Sequence, residues 1–127
     1  MSVSRLALAG VVIAAACFSE HSATTAPDLS ALCNVAPGPG VGGSTLIAIR
    51  SFSFQASDVR VKAGTSVTWV NCEPPGTPSH TTHSNQDIWQ SLLLAPGETF
   101  TRTFDTPGVF PYHCDPHPFM TASVTVE

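Results

Sequence analysis

Three residues near the C-terminal end could together hold a soft metal ion. In Tyr112-His113-Cys114-Asp115-Pro116-His117-Pro118-Phe119-Met120 a thiol, an imidazole and a thioether follow one another with two residues in each gap. That spacing lets one tight loop turn all three side chains toward a point. A thiolate with an imidazole suits copper or zinc, whereas a thioether is a soft donor that serves copper far better. One further imidazole completes a trigonal set of two histidines and a cysteine with a weak axial methionine. Upstream, Ser79-His80-Thr81-Thr82-His83-Ser84 offers two, His80 and His83. A zinc site of the Cys/His kind is the metal alternative. The plainer reading makes Cys114 a core thiol and Met120 a packing residue.

Short strands must position these groups. Leu46, Ala48 and Arg50 alternate with Ile47 and Ile49; Val59 and Val61 with Arg60 and Lys62; Val67, Trp69 and Asn71 with Ser66, Thr68 and Val70. Phe100, Arg102 and Phe104 follow the turn Ala95-Pro96-Gly97-Glu98, and Phe110, Tyr112 and Cys114 follow Thr106-Pro107-Gly108. Ala122, Val124 and Val126 close the chain. Six period-two runs rich in Val, Thr and aromatics predict an all-β sandwich or barrel. The same alternation points His113 away from Cys114 and from any ion there. Residues 85–94, with Ile88-Trp89 and Leu92-Leu93-Leu94, fit strand or helix.

With these motifs in this order, residues 45–127 resemble the cupredoxin (type 1 blue copper) family, plastocyanin- and amicyanin-like. The resemblance is carried by Trp69-Val70-Asn71, His80-Thr81-Thr82, Pro96-Gly97-Glu98-Thr99-Phe100, Pro107-Gly108-Val109-Phe110 and the two prolines flanking His117. It implies a small antiparallel Greek-key β-sandwich and one type 1 copper ion held by His80, Cys114, His117 and Met120. It also implies a hydrogen bond from the Thr81 backbone N–H to the Cys114 sulfur. His83 falls where the family commonly has Thr, and the stretch between Asn71 and His80, with Cys72, Pro74, Pro75, Gly76 and Pro78, is longer than in plastocyanin-like members.

The 127 residues allow one modest domain. Charged residues make up 11% and hydrophobic ones 43%, which excludes a disordered polyelectrolyte. A net charge of −4 with five scattered Lys and Arg residues excludes nucleic acid as a partner. Arg5 followed by the apolar run Leu6–Ala16 is too short to cross a bilayer and reads as a secretory signal over residues 1–16. Cleavage after Ala16 releases a soluble protein; alternatively Cys17 carries a lipid anchor. Removal of residues 1–16 leaves four basic and nine acidic residues. Residues 17–44, rich in Ser, Thr, Ala, Pro and Gly and containing His21, read as a flexible tether. In an exported protein Cys33 and Cys72 are a natural disulfide pair, although spacing alone does not fix the pairing.

The expected function is therefore that of an exported, monomeric electron carrier, periplasmic or lipid-anchored, and not an enzyme. Redox partner proteins would dock around His117, Pro116, Pro118 and Phe119. The alternative is a copper-binding module for storage or delivery, against which stands the small number of methionines, two including Met1. A multicopper oxidase needs paired His-x-His motifs, and none occurs.

Overall fold

The computed structural model describes residues 29–39 and 43–127. The expected signal at residues 1–16, Cys17 and His21 lie outside them. A 3-10 helical segment, Leu29–Asn34, precedes nine strands: β1 Gly38–Pro39, β2 Ser44–Arg50, β3 Ser53–Gln55, β4 Asp58–Val61, β5 Thr65–Asn71, β6 His83–Ser84, β7 Thr99–Phe104, β8 Gly108–His113 and β9 Thr121–Val126. One sheet runs β1-β2-β5-β7 with β3 paired to β2, and the other runs β4-β9-β8-β6. The six alternating runs are β2, β4, β5, β7, β8 and β9. The strands that the pattern missed, β1, β3 and β6, hold two or three residues each, too few to display a period.

The β-sandwich is the one expected, but two pairings run parallel, β2 with β5 and β4 with β9. Alternation of side chains has the same period in parallel and antiparallel strands, so it carries no information on direction. Ile47, Ile49, Val67 and Trp69 from one sheet meet Tyr112, Val124 and Val126 from the other in a single buried cluster. Trp69 sits at its centre, its ring 5.5 Å from that of Tyr112 in an edge-on arrangement. Residues 85–94 form no helix: two isolated bridges, His80 with Leu94 and His83 with Gln90, tie the stretch down. Trp89 and Leu94 enter the core from it.

Of the stretch expected as a tether, residues 29–39 are described along with 43 and 44. Residues 29–39 are fastened to the sandwich by three links. Cys33 is disulfide-bonded to Cys72, the Arg50 guanidinium donates to the Cys33 carbonyl, and β1 pairs antiparallel with β2. Leu32 and Val35 share a groove with Leu46 and Thr68 on the outer face of the first sheet. A covalent staple and a few apolar side chains override a composition that reads as linker.

Candidate metal centre

Strand β8 delivers Cys114 to one end of the sandwich, where the chain leaves the sheet. The loop that follows is closed by its own backbone. The Cys114 N–H donates to the Met120 carbonyl at 3.1 Å, and the Met120 N–H donates to the His117 carbonyl at 2.9 Å. Pro116 and Pro118 fix the backbone on either side of His117. The chain reaches His80 from the end of β5. There Asn71, fully buried, donates from Nδ2 to the Leu94 carbonyl at 2.8 Å and accepts the Glu73 N–H on Oδ1 at 3.0 Å. His80 and Leu94 then exchange both backbone hydrogen bonds, at 3.1 and 2.7 Å. The turn after Leu94 needs Pro96 followed by a residue with positive φ, and Gly97 at +87° supplies it. Its N–H returns to the Asn71 carbonyl at 2.7 Å. Asn71 thus gathers β5, the His80 segment and the 94–97 turn.

His80, Cys114 and His117 are brought together at this end. His80 Nδ1 and His117 Nδ1 each lie 3.7 Å from Cys114 Sγ. An ion about 2.0–2.1 Å from two imidazole nitrogens and about 2.3 Å from a thiolate, with angles near 120°, separates nitrogen from sulfur by about 3.8 Å. The three donors therefore fit one ion. His80 and Cys114 are completely buried, His117 partly, and Met120, which closes the same loop, is buried. With a thiolate, two imidazoles and no carboxylate among these groups, and a methionine closing the same loop, the chemistry favours copper over a hard cation. Burial, then the neighbouring His117, holds the His80 imidazole below its ordinary pKa, opposed by Glu73. A neutral ring is the form that binds a metal.

The hydrogen bond expected from Thr81 is present, its N–H donating to Cys114 Sγ at 3.4 Å. Of the two upstream histidines, His80 faces the thiol. His83 instead meets Asp115 and Asp87 through its two ring nitrogens, at 2.7 and 3.0 Å. The hydrogen bond to Asp115 raises its pKa above the ordinary value; burial opposes it, and the hydrogen bond to Asp87 adds to the rise. Burial raises the Asp115 pKa, but hydrogen bonds from His83, Thr81 and Gln90 outweigh it and hold the carboxyl below its usual range. His113 turns away from Cys114, as alternation predicts, and its Nδ1 meets Asn85 Oδ1 at 2.6 Å.

The sequence reading missed two neighbours of the centre. Phe52 sets its ring edge-on to both His80 and His117, with centroids 5.3 and 5.0 Å away. It lies in the two-residue turn between β2 and β3, where Ser51 and Phe52 both adopt positive φ, 49° and 53°. Such a turn normally takes Asn-Gly, so nothing in Ser-Phe signalled it. Local strain of this kind persists where surrounding contacts enforce it, and the Phe52 N–H is held by Glu73 Oε1 at 2.7 Å. That same oxygen lies 3.7 Å from His80 Nε2, too far for a hydrogen bond but placed to attract the ring's outer N–H. Only the closeness of Glu73 to Asn71 in the chain could have pointed to it.

The sheets that build this end of the molecule are shared with known proteins. The family model for copper-binding proteins of the plastocyanin/azurin family matches residues 42–127. Amicyanin-alpha of Methylorubrum extorquens is 37% identical over 119 residues, covering 89% of this chain and 95% of that protein. A plastocyanin of Scenedesmus fuscus is 34% identical over 58% of this chain and 86% of its own. Among solved structures, a reduced amicyanin mutant superposes with a TM-score of 0.61 at 28% identity, over 69% of this chain and 86% of that one. A purple cupredoxin from Nitrosopumilus maritimus gives 0.58 at 25% identity, over 65% and 98%. With a matching family model over residues 42–127 and a buried two-nitrogen, one-sulfur centre at the end of the sandwich, the chain belongs to the plastocyanin/azurin family of copper-binding proteins, the cupredoxins, and is a blue copper protein of the electron-transfer kind.

Proposed function

We propose that the protein is an exported carrier of single electrons, and not an enzyme, whose copper is held by His80, Cys114 and His117 with Met120 as the weak fourth donor. The observation that carries this reading is the convergence of His80 Nδ1 and His117 Nδ1 on Cys114 Sγ at equal 3.7 Å separations in a buried site. When bound, copper supplies a one-electron couple whose two oxidation states both tolerate this donor set. The chain's part is to keep those donors still. Pro116 and Pro118 stiffen the loop, Phe52 abuts both imidazoles, and the Asn71 hub anchors His80. The Thr81 N–H draws electron density from the sulfur, which lowers thiolate donation and tunes the potential.

His117 serves as the electron port in this proposal, and redox partners dock on the apolar ground around it. Phe119 is 71% exposed and Pro116 and Pro118 are exposed with it. Leu92, 87% exposed, and Leu93 line a shallow depression that Pro116 also borders, extending the surface beyond the residues chosen from the sequence. The exported state rests on the signal read over residues 1–16 and on the Cys33–Cys72 disulfide, a bond that persists in oxidising compartments. Residues 45–127 form the carrier domain, as a monomer, and Cys17 is either the mature protein's lipid anchor or part of the residues left after cleavage.

Purified protein given Cu(II) is expected to develop an intense visible thiolate-to-copper charge-transfer band, with a reversible one-electron wave in voltammetry. Cys114→Ser is expected to abolish the band. A colourless complex, or a copper ion that passes to an acceptor without redox cycling, would overturn the carrier reading.

A further inference from the structure

A second group of metal-binding side chains lies on the far side of Cys114: His83, His113 and Asp115. His83 Nδ1 lies 2.7 Å from Asp115 Oδ1, and His113 Nε2 lies 3.4 Å from the same oxygen. Two imidazoles from the paired strands β6 and β8 are thus directed at one carboxylate oxygen; His83 and His113 are register partners. Their rings are 5.1 Å apart.

The remaining polar atoms of all three residues are already committed, in the manner of an ion's outer shell. Histidines that bind metals commonly donate their other ring N–H to a carboxylate or amide oxygen, which fixes the tautomer and the ring orientation. His83 Nε2 has Asp87 Oδ1 at 3.0 Å, and His113 Nδ1 has Asn85 Oδ1 at 2.6 Å. Asp115 Oδ2 accepts the Thr81 hydroxyl at 2.9 Å and the Gln90 amide at 3.3 Å. Each group therefore turns its one remaining donor atom toward the same small volume, where the three are paired only with one another, and each is partly open to solvent. Two nitrogens and one oxygen leave a tetrahedral ion one position for water.

We propose that His83 Nδ1, His113 Nε2 and Asp115 Oδ1 form a second metal site, for a divalent ion of the zinc type, and that its occupation favours the reduced state of the copper centre. The ion displaces to solvent the protons held between these rings and Asp115. The coupling rests on copper being held at Cys114, while the zinc site itself does not. Asp115 directly follows Cys114, its N–H donates to Thr81 Oγ1 at 2.8 Å, and the Thr81 N–H donates to Cys114 Sγ. A dication placed here opposes the more positive, oxidised centre more than the reduced one. Linkage requires the converse too: copper reduction must tighten zinc by the same factor.

The test uses copper-loaded protein, so that Cys114 is occupied, titrated with zinc chloride by calorimetry in the oxidised and the ascorbate-reduced state. One equivalent is expected to bind, about tenfold tighter to the reduced form. A factor of ten corresponds to a rise of about 59 mV in the potential at zinc saturation. His113→Gln and, separately, His83→Gln are expected to weaken zinc about 100-fold or more, beyond the loss of an outer-shell partner, while keeping the visible copper band. Absence of binding, or binding that neither variant weakens, would overturn the site. Equal affinity for both redox states would overturn the coupling. Absence of the band from the unaltered oxidised protein before zinc is added would overturn the carrier reading, while the zinc isotherm by itself still decides whether the second site exists.

Discussion

At the scale of single residues, the proposed donor set of two imidazoles, a thiolate and a thioether needs no carboxylate to hold an ion of copper. His80 and Cys114 are wholly buried, so both donor atoms are shielded from water. Met120 is the adjustable member. A weak thioether donor stabilises the oxidised ion more than the reduced one, and the axial ligand is a recognised control on potential. Met120→Leu, close in volume and cheap in packing terms, is expected to retain the visible band and raise the potential by roughly 60 mV, a tenfold shift in the one-electron equilibrium. Potentiometric titration checks this; an unchanged potential would remove Met120 from the donor set. Phe52 and Glu73 act one step further out, holding His80 and His117 in place through a turn whose backbone is strained.

At the scale of elements, the end of the sandwich is held by connections between pieces distant in sequence. The Cys33–Cys72 bond joins residues 39 positions apart and pins the 3-10 segment to the end of β5, close to Asn71. A loop of that length corresponds to about 4 kcal/mol in the chain-entropy model. The Cys33→Ser/Cys72→Ser double variant is expected to lose about 2–4 kcal/mol in urea unfolding while keeping the copper band, because Asn71, Leu94 and the Pro96-Gly97 turn position His80 independently. A band lost along with the disulfide would show that the staple holds the metal site as well as the fold.

For the whole molecule, apolar side chains are exposed at the metal end beside the charged pair of His83 and Asp115. Phe119, Leu92 and Leu93 are exposed, and on the proposed reading they serve brief contacts that bring the His117 edge close to a partner's redox centre. Two copies of the protein can meet the same way, so self-exchange of electrons measured by NMR line broadening reports on the surface without a partner. Phe119→Asp is expected to slow self-exchange about tenfold, since like charges facing each other across a contact are costly. The potential should stay constant. An unaltered exchange rate would place the port elsewhere.

Much of this protein can be read along the chain. Cys114, His117 and Met120 lie in one short loop, so their convergence is a matter of local spacing, and the six longer strands show their inward faces through alternation. The choice between His80 and His83 is different in kind. Both lie in one polar stretch, and only the bridge from His80 to Leu94 and the pairing of His83 with His113 send their rings to opposite sides of Cys114. The direction of β2 against β5 and of β4 against β9, the docking of residues 29–39, the placement of Phe52 over the imidazoles and the His83–His113–Asp115 cluster were likewise decided by tertiary structure. Local pattern records which face of a strand is apolar and which residues are neighbours along the chain. It does not record which distant strand will lie alongside, and each of these features depends on that.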